Sequence, residues 1–289
     1  GGRSIPHLTD HPLRVHMTAA IAPDLSNDTD AFSRLWRRNQ AFFPKGVCLQ
    51  YYNDSMMRST AFILSGLVWR AGVTEGPQVA YEAFQRLRPA AFRADLWRYM
   101  LLWAQGGVYL DAKVALARPL DAIFNLSSRT LQLCRDRGPG GYWQGAFVAI
   151  APGNSFLAAV IRQVVGDVRE HKVFPKNPLR LTGPEAVFAA VGATDCRQAE
   201  RDPRREWWPR WWNCSEPSGV TIIGTMRTMP HGDVNAPGLC KAEDPGASSG
   251  GDCHILLRVH AEIHRRQHGD YVALVKGGNV FCDDIGPPC

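Results

Sequence analysis

The chain has 289 residues, 45% of them hydrophobic and 21% charged, with a net charge of +6. These are ordinary globular proportions, so a disordered, collagen-like or coiled-coil protein is excluded, and the length fits one large domain or two small ones. No run of 18 apolar residues occurs, and the opening GGRSIPHLTD lacks the basic start and apolar stretch of a signal peptide. The expectation is a cytosolic protein or one whose targeting segment has been removed.

Asp30 is placed to cap a helix through AFSRLWRRNQAFF, because its carboxylate can accept a hydrogen bond from an amide of the first turn. GVCLQYYND reads as a strand that ends in a polar loop. Residues 55–70 and 77–87 read as helices, with Thr74 and Pro77 marking the start of the second. The clearest helix is PAAFRADLWRYMLLWAQ, residues 89–105. Pro89 suits its first turn and Gly106-Gly107 supply a left-handed stop. It is apolar on nearly every side, which predicts burial. Val108-Tyr109-Leu110 follows as a short strand ending at Asp111.

TLQLC (130–134) and GAFVAI (145–150) read as strands, and 154–170 and 182–191 as helices. Alternating strands and helices predict an α/β layer structure with a parallel or mixed sheet. After about residue 195 the pattern gives way to Pro, Gly, Trp and Cys, with short strands at VTIIG, HILLRV and YVALVKG. The organisation expected is one domain, with a core over 1–195 and an irregular cysteine-rich part over 196–289.

The chain has eight cysteines, six of them after residue 195 (Cys196, Cys214, Cys240, Cys253, Cys282 and Cys289). No C-x-x-C occurs, which argues against a zinc ribbon or a thioredoxin site. An even count in a Gly- and Pro-rich region predicts disulfides from an oxidising compartment; buried free thiols in a cytosolic protein are the alternative. N-x-S/T sequons stand at Asn27, Asn53, Asn125 and Asn213, a second pointer to the secretory pathway. Basic residues fall in scattered pairs such as Arg37-Arg38 and Arg204-Arg205. An anionic small ligand, such as a nucleotide diphosphate, suits that surplus; a nucleic acid is not expected.

Two ionisable residues interrupt the apolar helix. Asp95 and Arg98 are three apart and share a face. Charge on a buried helix is costly unless paired or used. The two form either a structural ion pair or a polar clamp at a ligand cavity. Asp111 stands at a strand's carboxyl end, where open α/β sheets bind ligands; a plain turn residue is the other reading.

The string AAFRADLWRYMLLWAQGGVYLDAKVALARPLD, residues 90–121, resembles the DXD-containing sugar-binding region of family 32 glycosyltransferases. The matching points are Ala94-Asp95, Arg98, Gly106-Gly107, Tyr109, Asp111 and Pro119-Leu120-Asp121. Trp36, the YYND segment ending at Asp54, and Thr182-Gly183-Pro184 resemble flanking parts of the family more weakly. The resemblance covers roughly residues 30–190. It implies a GT-A (Rossmann-like) fold, a mixed sheet flanked by helices that binds a nucleotide-sugar donor. It implies that Asp95 and Arg98 contact the donor sugar, and that Asp111 contacts the ribose or a metal-bound diphosphate. Gly107 and Tyr109 belong to the same donor-binding stretch. It further implies hexose transfer with retention, a UDP-linked donor, a glycan or glycoconjugate acceptor, and a Golgi or ER setting with an N-terminal membrane anchor.

One position departs from the pattern. Lys113 stands where the second Asp of D-x-D is expected. That carboxylate would bind a divalent cation such as Mn or Mg, and an ammonium cannot. Either Lys113 replaces the metal's charge and pairs with the phosphates, or the site binds without turnover. Further candidates lie outside the string. Gln144 is either an amide facing the anomeric carbon or a loop residue. His260, with His254, His264 and His268, is either a late metal ligand beside Asp111 or part of a solvated basic helix. Trp207, Trp208, Trp211 and Trp212 form either a sugar platform or a plug over the core. Glu185 is read as a helix N-terminal charge.

Overall fold

The computed structural model describes residues 12–19, 22–24, 26, 30–116, 119–135, 142–191, 219–225, 227–228, 256–258 and 280–282. Six strands form the main sheet, in the order β2-β1-β3-β6-β5-β7. They are β1 (Arg14–Thr18), β2 (Cys48–Tyr52), β3 (Gly107–Leu110), β5 (Leu131–Arg135), β6 (Tyr142–Ala149) and β7 (Val220–Thr225). β1 runs parallel to both β2 and β3, and β7 parallel to β5, while β6 is antiparallel to β3 and β5. A three-stranded sheet joins β4 (Val114–Leu116), β9 (Leu256–Arg258) and β8 (Arg227–Thr228). The result is a mixed sheet flanked by helices, as the sequence pattern predicts.

Strand alternation divides the core into two layers. Val15, Met17, Val108, Leu110, Ala146 and Val148 face one side, where α1 (Ala31–Gln40) packs through Leu35 and Trp36. Tyr109, Phe147 and Ala149 face the other, against α2 (Asp54–Arg70), α4 (Ala90–Gln105) and α6 (Ser155–Arg169). Asp30 caps α1 by accepting from the Ser33 amide at 2.8 Å, and Asn53 caps α2 through the Met56 amide at 2.9 Å. α3 (Val79–Arg86) and α8 (Pro184–Val191) complete that layer.

Eleven of the sixteen residues of α4 are buried, as its all-round apolar sequence requires. Each large side chain so buried contributes about 1.5–3 kcal/mol. Gly106 stops the helix at φ +67° and ψ −168°, a region open essentially to glycine. A Cβ there would sit 2.4 Å from the Ile150 carbonyl oxygen. Gly107, at φ +104°, faces the Arg14 carbonyl at 2.6 Å from where its Cβ would be. This glycine pair therefore turns the chain directly from the buried helix into the buried strand.

Three findings differ from the sequence reading. β1 was not anticipated, yet it lies between β2 and β3 and sets the sheet. β6 begins at Tyr142, three residues before GAFVAI. Thr182 closes a short helix, α7 (Leu179–Thr182), and α8 starts only at Pro184. YVALVKG and most of the cysteine-rich part lie outside the described residues. Where that part is described, it joins the core: β7 extends the main sheet, β9 pairs with β4, and Val280 and Phe281 are buried in the α4 layer. Cys282 is disulfide-bonded, while Cys48 and Cys134 are free thiols. No helix among the described residues is long and apolar enough to cross a membrane.

Candidate functional site

β1 and β3 are parallel, so their carboxyl ends lie on one edge of the sheet. Thr18 closes β1 and Asp111 follows β3. The Thr18 hydroxyl is 2.9 Å from the Tyr109 hydroxyl, which in turn donates to Asp111 Oδ1 at 3.1 Å. The Asp111 amide donates to the Gly145 carbonyl at 2.7 Å, which fixes the strand end against β6.

α4 delivers the cationic partner. Arg98 Nη1 lies 3.1 Å from Asp111 Oδ1, and Nη2 lies 3.0 Å from Asp95 Oδ1. Its Nε donates to the Ala94 carbonyl at 3.2 Å, and its guanidinium carbon stands 4.4 Å from the Tyr109 ring centroid. A buried guanidinium is tolerable only with such a full set of partners. Burial opposes its charge, but Tyr109, Asp111 and Asp95 together raise its pKa above the usual arginine value. Burial also pushes the Tyr109 and Tyr99 phenols up, so both remain protonated donors.

Asp95 is held from its other side by Thr182, whose hydroxyl donates to Oδ2 at 2.8 Å. Tyr99, one residue after Arg98 on α4, fixes that threonine in turn through its carbonyl at 2.6 Å. At the open end, Lys113 Nζ lies 3.6 Å from Asp111 Oδ2. The chain of contacts thus runs from Thr182 through Asp95, Arg98 and Asp111 to Lys113. The gradient of exposure is informative. The side chains of Arg98 and Asp95 are 5% and 7% exposed, those of Lys113 and Asp111 14% and 16%. Asp111 and Lys113 are thus the more exposed members, and Asp95 and Arg98 lie deeper.

The other sequence candidates fall as follows. Gly107 lies at the opposite end of β3 from Asp111, packed against Arg14 and His16. Gln144 lies within β6, next to the Gly145 that receives the Asp111 amide. It is a strand residue, not a loop residue before a strand. His260, its neighbouring histidines and the four clustered tryptophans lie outside the described residues. Trp36 lies on α1, within the helix read from the sequence, and its indole donates to the Ala112 carbonyl at 2.9 Å.

His16 and Thr18 were missed. His16 is fully buried on β1, with Nε2 3.2 Å from the Gly106 carbonyl oxygen and Nδ1 3.4 Å from the Tyr52 hydroxyl. Desolvation drives its pKa down to about 4, so it is neutral at physiological pH. A polar residue between Val15 and Met17 was the available signal, for it marks a strand with one polar contact on its far face.

The resemblance implies a divalent cation, and the donor set around Asp111 can be tested for it. A hard dication needs several oxygen ligands. Here Asp111 already accepts from Arg98 and Tyr109 and faces Lys113. The residue two positions on is an ammonium, a donor only. Among the described residues, no group of three or more His, Cys, Asp or Glu could hold a metal. These side chains do not fit a divalent cation.

Residues 50–129 match the family model described as a glycosyltransferase sugar-binding region containing a DXD motif. This segment is similar to a glycosyltransferase sugar-binding region. It spans β2 through β4 and so includes Asp95, Arg98 and Asp111. No curated protein matches the chain. Among solved structures, the chain is similar to the PaToxG glycosyltransferase at 14% identity and a TM-score of 0.43, over 63% of this chain and 70% of that one.

Proposed function

We propose that the protein is a glycosyltransferase of family 32 type that moves a hexose from a nucleotide-diphosphate sugar, UDP-linked, to a hydroxyl of a glycan or glycoconjugate. The observation that supports it most is the Asp95–Arg98–Asp111 network at the carboxyl edge of β1 and β3, within the segment similar to a sugar-binding region. Asp111 and Lys113 meet the donor. Arg98 and Asp95 orient them from the more deeply buried side. Tyr109 and Gly107 shape the strand that carries Asp111. Gln144, in the strand beside that end, is a further candidate for the sugar site.

In the transfer, the bond between the anomeric carbon and the phosphate oxygen breaks, and its electron pair leaves on the diphosphate. The acceptor oxygen forms the new bond on the face the diphosphate leaves, which retains configuration. The acceptor proton passes to the departing phosphate oxygen. Positioning and electrostatic stabilisation of the leaving group supply most of the catalysis.

We further propose that residues 196–289 belong to the same domain as 1–195, and that the protein works in the lumen of the Golgi or ER. Four sequons and the disulfide at Cys282 support that compartment.

The test is release of nucleoside diphosphate from a panel of UDP- and GDP-sugars by the folded protein, with and without simple sugar acceptors. Wild type is expected to release it, and Asp111→Asn to lose at least ~100-fold of that rate, about 2.7 kcal/mol of transition-state stabilisation. A second reading, a non-catalytic nucleotide-sugar binder, is favoured by Lys113 in place of a carboxylate. Tight donor binding without any release would establish it instead.

A further inference from the structure

The sugar-binding family is described by a DXD motif, and this chain carries Asp111-Ala112-Lys113 there. The local geometry brings the first and third of these side chains to one side of the turn. Ala112 is turned into the core at 4% exposure, and its carbonyl is held by the Trp36 indole. The Val114 amide donates to the Asp111 carbonyl at 2.9 Å and closes the turn. With the middle residue buried, the side chains on either side of it emerge together, Lys113 Nζ 3.6 Å from Asp111 Oδ2. The turn therefore presents its first and last side chains together, and the last of them is a lysine.

That lysine has a definite electrostatic meaning. A carboxylate and the dication it binds together contribute one net positive charge. A single ammonium contributes the same. Asp95, Arg98, Asp111 and Lys113 sum to zero formal charge, so these four groups offer a dication no net negative charge. With an aspartate in place of Lys113 they would carry two negative charges and attract one strongly.

We propose that Lys113 stands in for both the second carboxylate and the divalent cation, and that this protein binds the diphosphate of its nucleotide directly, without metal. The inference rests on the donor-site reading above. Lysine is suited to it, being a compact cation on a flexible stem that serves as a phosphate ligand elsewhere.

The test is calorimetric titration of UDP and GDP into the full chain, in Mn²⁺ and in EDTA, with wild type, Lys113→Ala and Lys113→Asp. Wild type is expected to bind one of the two nucleotides equally in both buffers, within about twofold. Lys113→Ala should weaken binding about 10- to 100-fold in both, the loss of one charge-assisted contact. Lys113→Asp should bind only in Mn²⁺, and titration of Mn²⁺ alone should show that it has gained a metal site absent from wild type.

Wild-type binding that collapses in EDTA overturns the inference and leaves the nucleotide reading standing. Unchanged binding by Lys113→Ala overturns the role of Lys113. No nucleotide binding by folded wild type in either buffer overturns the inference and the donor-site reading together.

Discussion

Asp95 and Asp111 carry the same charge, yet the structure asks different things of them. Asp95 is enclosed between Arg98 and Thr182, so its removal leaves a buried guanidinium and a hydroxyl short of a partner. Asp95→Ala is expected to destabilise the fold by about 3 kcal/mol, read as a shift in chemical denaturation midpoint. Asp111 is more open, and Asn retains an oxygen for Tyr109 and Arg98. Asp111→Asn should cost under ~1 kcal/mol, which makes it the cleaner probe of chemistry. Equal destabilisation by both would contradict the gradient of burial described above.

His16 is the residue whose titration matters most to stability. Its folded pKa of about 4 lies below the ordinary 6.5, so the unfolded chain binds the proton more readily. The stability it contributes is full above pH 6.5 and is lost as pH falls toward 4, by ~3 kcal/mol. His16→Gln should flatten the slope of stability with pH across that window. An unchanged slope would refute the assignment. The sequence carries only a faint signal of this strand. RVHMT is a five-residue strand with a histidine at its centre, and its alternation is too short to stand out. Thr18 and Thr182 were equally hidden as partners, because their contacts span 91 and 87 residues of sequence.

At the level of elements, legibility followed the strength of local signals. α4 was readable because it combines a leading proline, a long apolar run and a terminal glycine pair, all encoded within eighteen residues or so. The start of β6 was not, since Trp143 and Gln144 follow a glycine-rich stretch that reads as loop. The glycine stop gives a direct test. Gly106→Ala must take a disfavoured backbone and also place a Cβ against the Ile150 carbonyl, so it should cost at least ~3 kcal/mol. Gly72→Ala shares a positive φ of 72° but has nothing within 4 Å, and should cost only about 1–2 kcal/mol. Thermal unfolding of the two variants separates strain from clash; equal losses would mean that the close approach is unimportant.

At the scale of the molecule, segments far apart in sequence are needed to make one edge. β1 and β3 supply the floor, α4 supplies Arg98 from beneath, and the Thr182 turn closes the side. The late segments take part as well: β9 pairs with β4 just beyond Lys113, and Arg88 and Leu87 are tied to Val280 and Phe281. The sequence could show the motif, because its residues are contiguous. It could not show which groups lie inside and which face outward, because that depends on how α4 crosses the strand end. The lysine could be read in the sequence as a departure, but its consequence depends on the side chains that the turn brings together, which only the fold reveals.

The most direct test of the account is a crystal structure of the chain with a bound nucleoside diphosphate. The account predicts the diphosphate at the carboxyl edge of β1 and β3, with a phosphate oxygen within hydrogen-bond distance of Lys113 Nζ and the Asp95–Arg98–Asp111 network undisturbed beneath it. A nucleotide seated away from that edge, with Asp111 and Lys113 untouched, would contradict it.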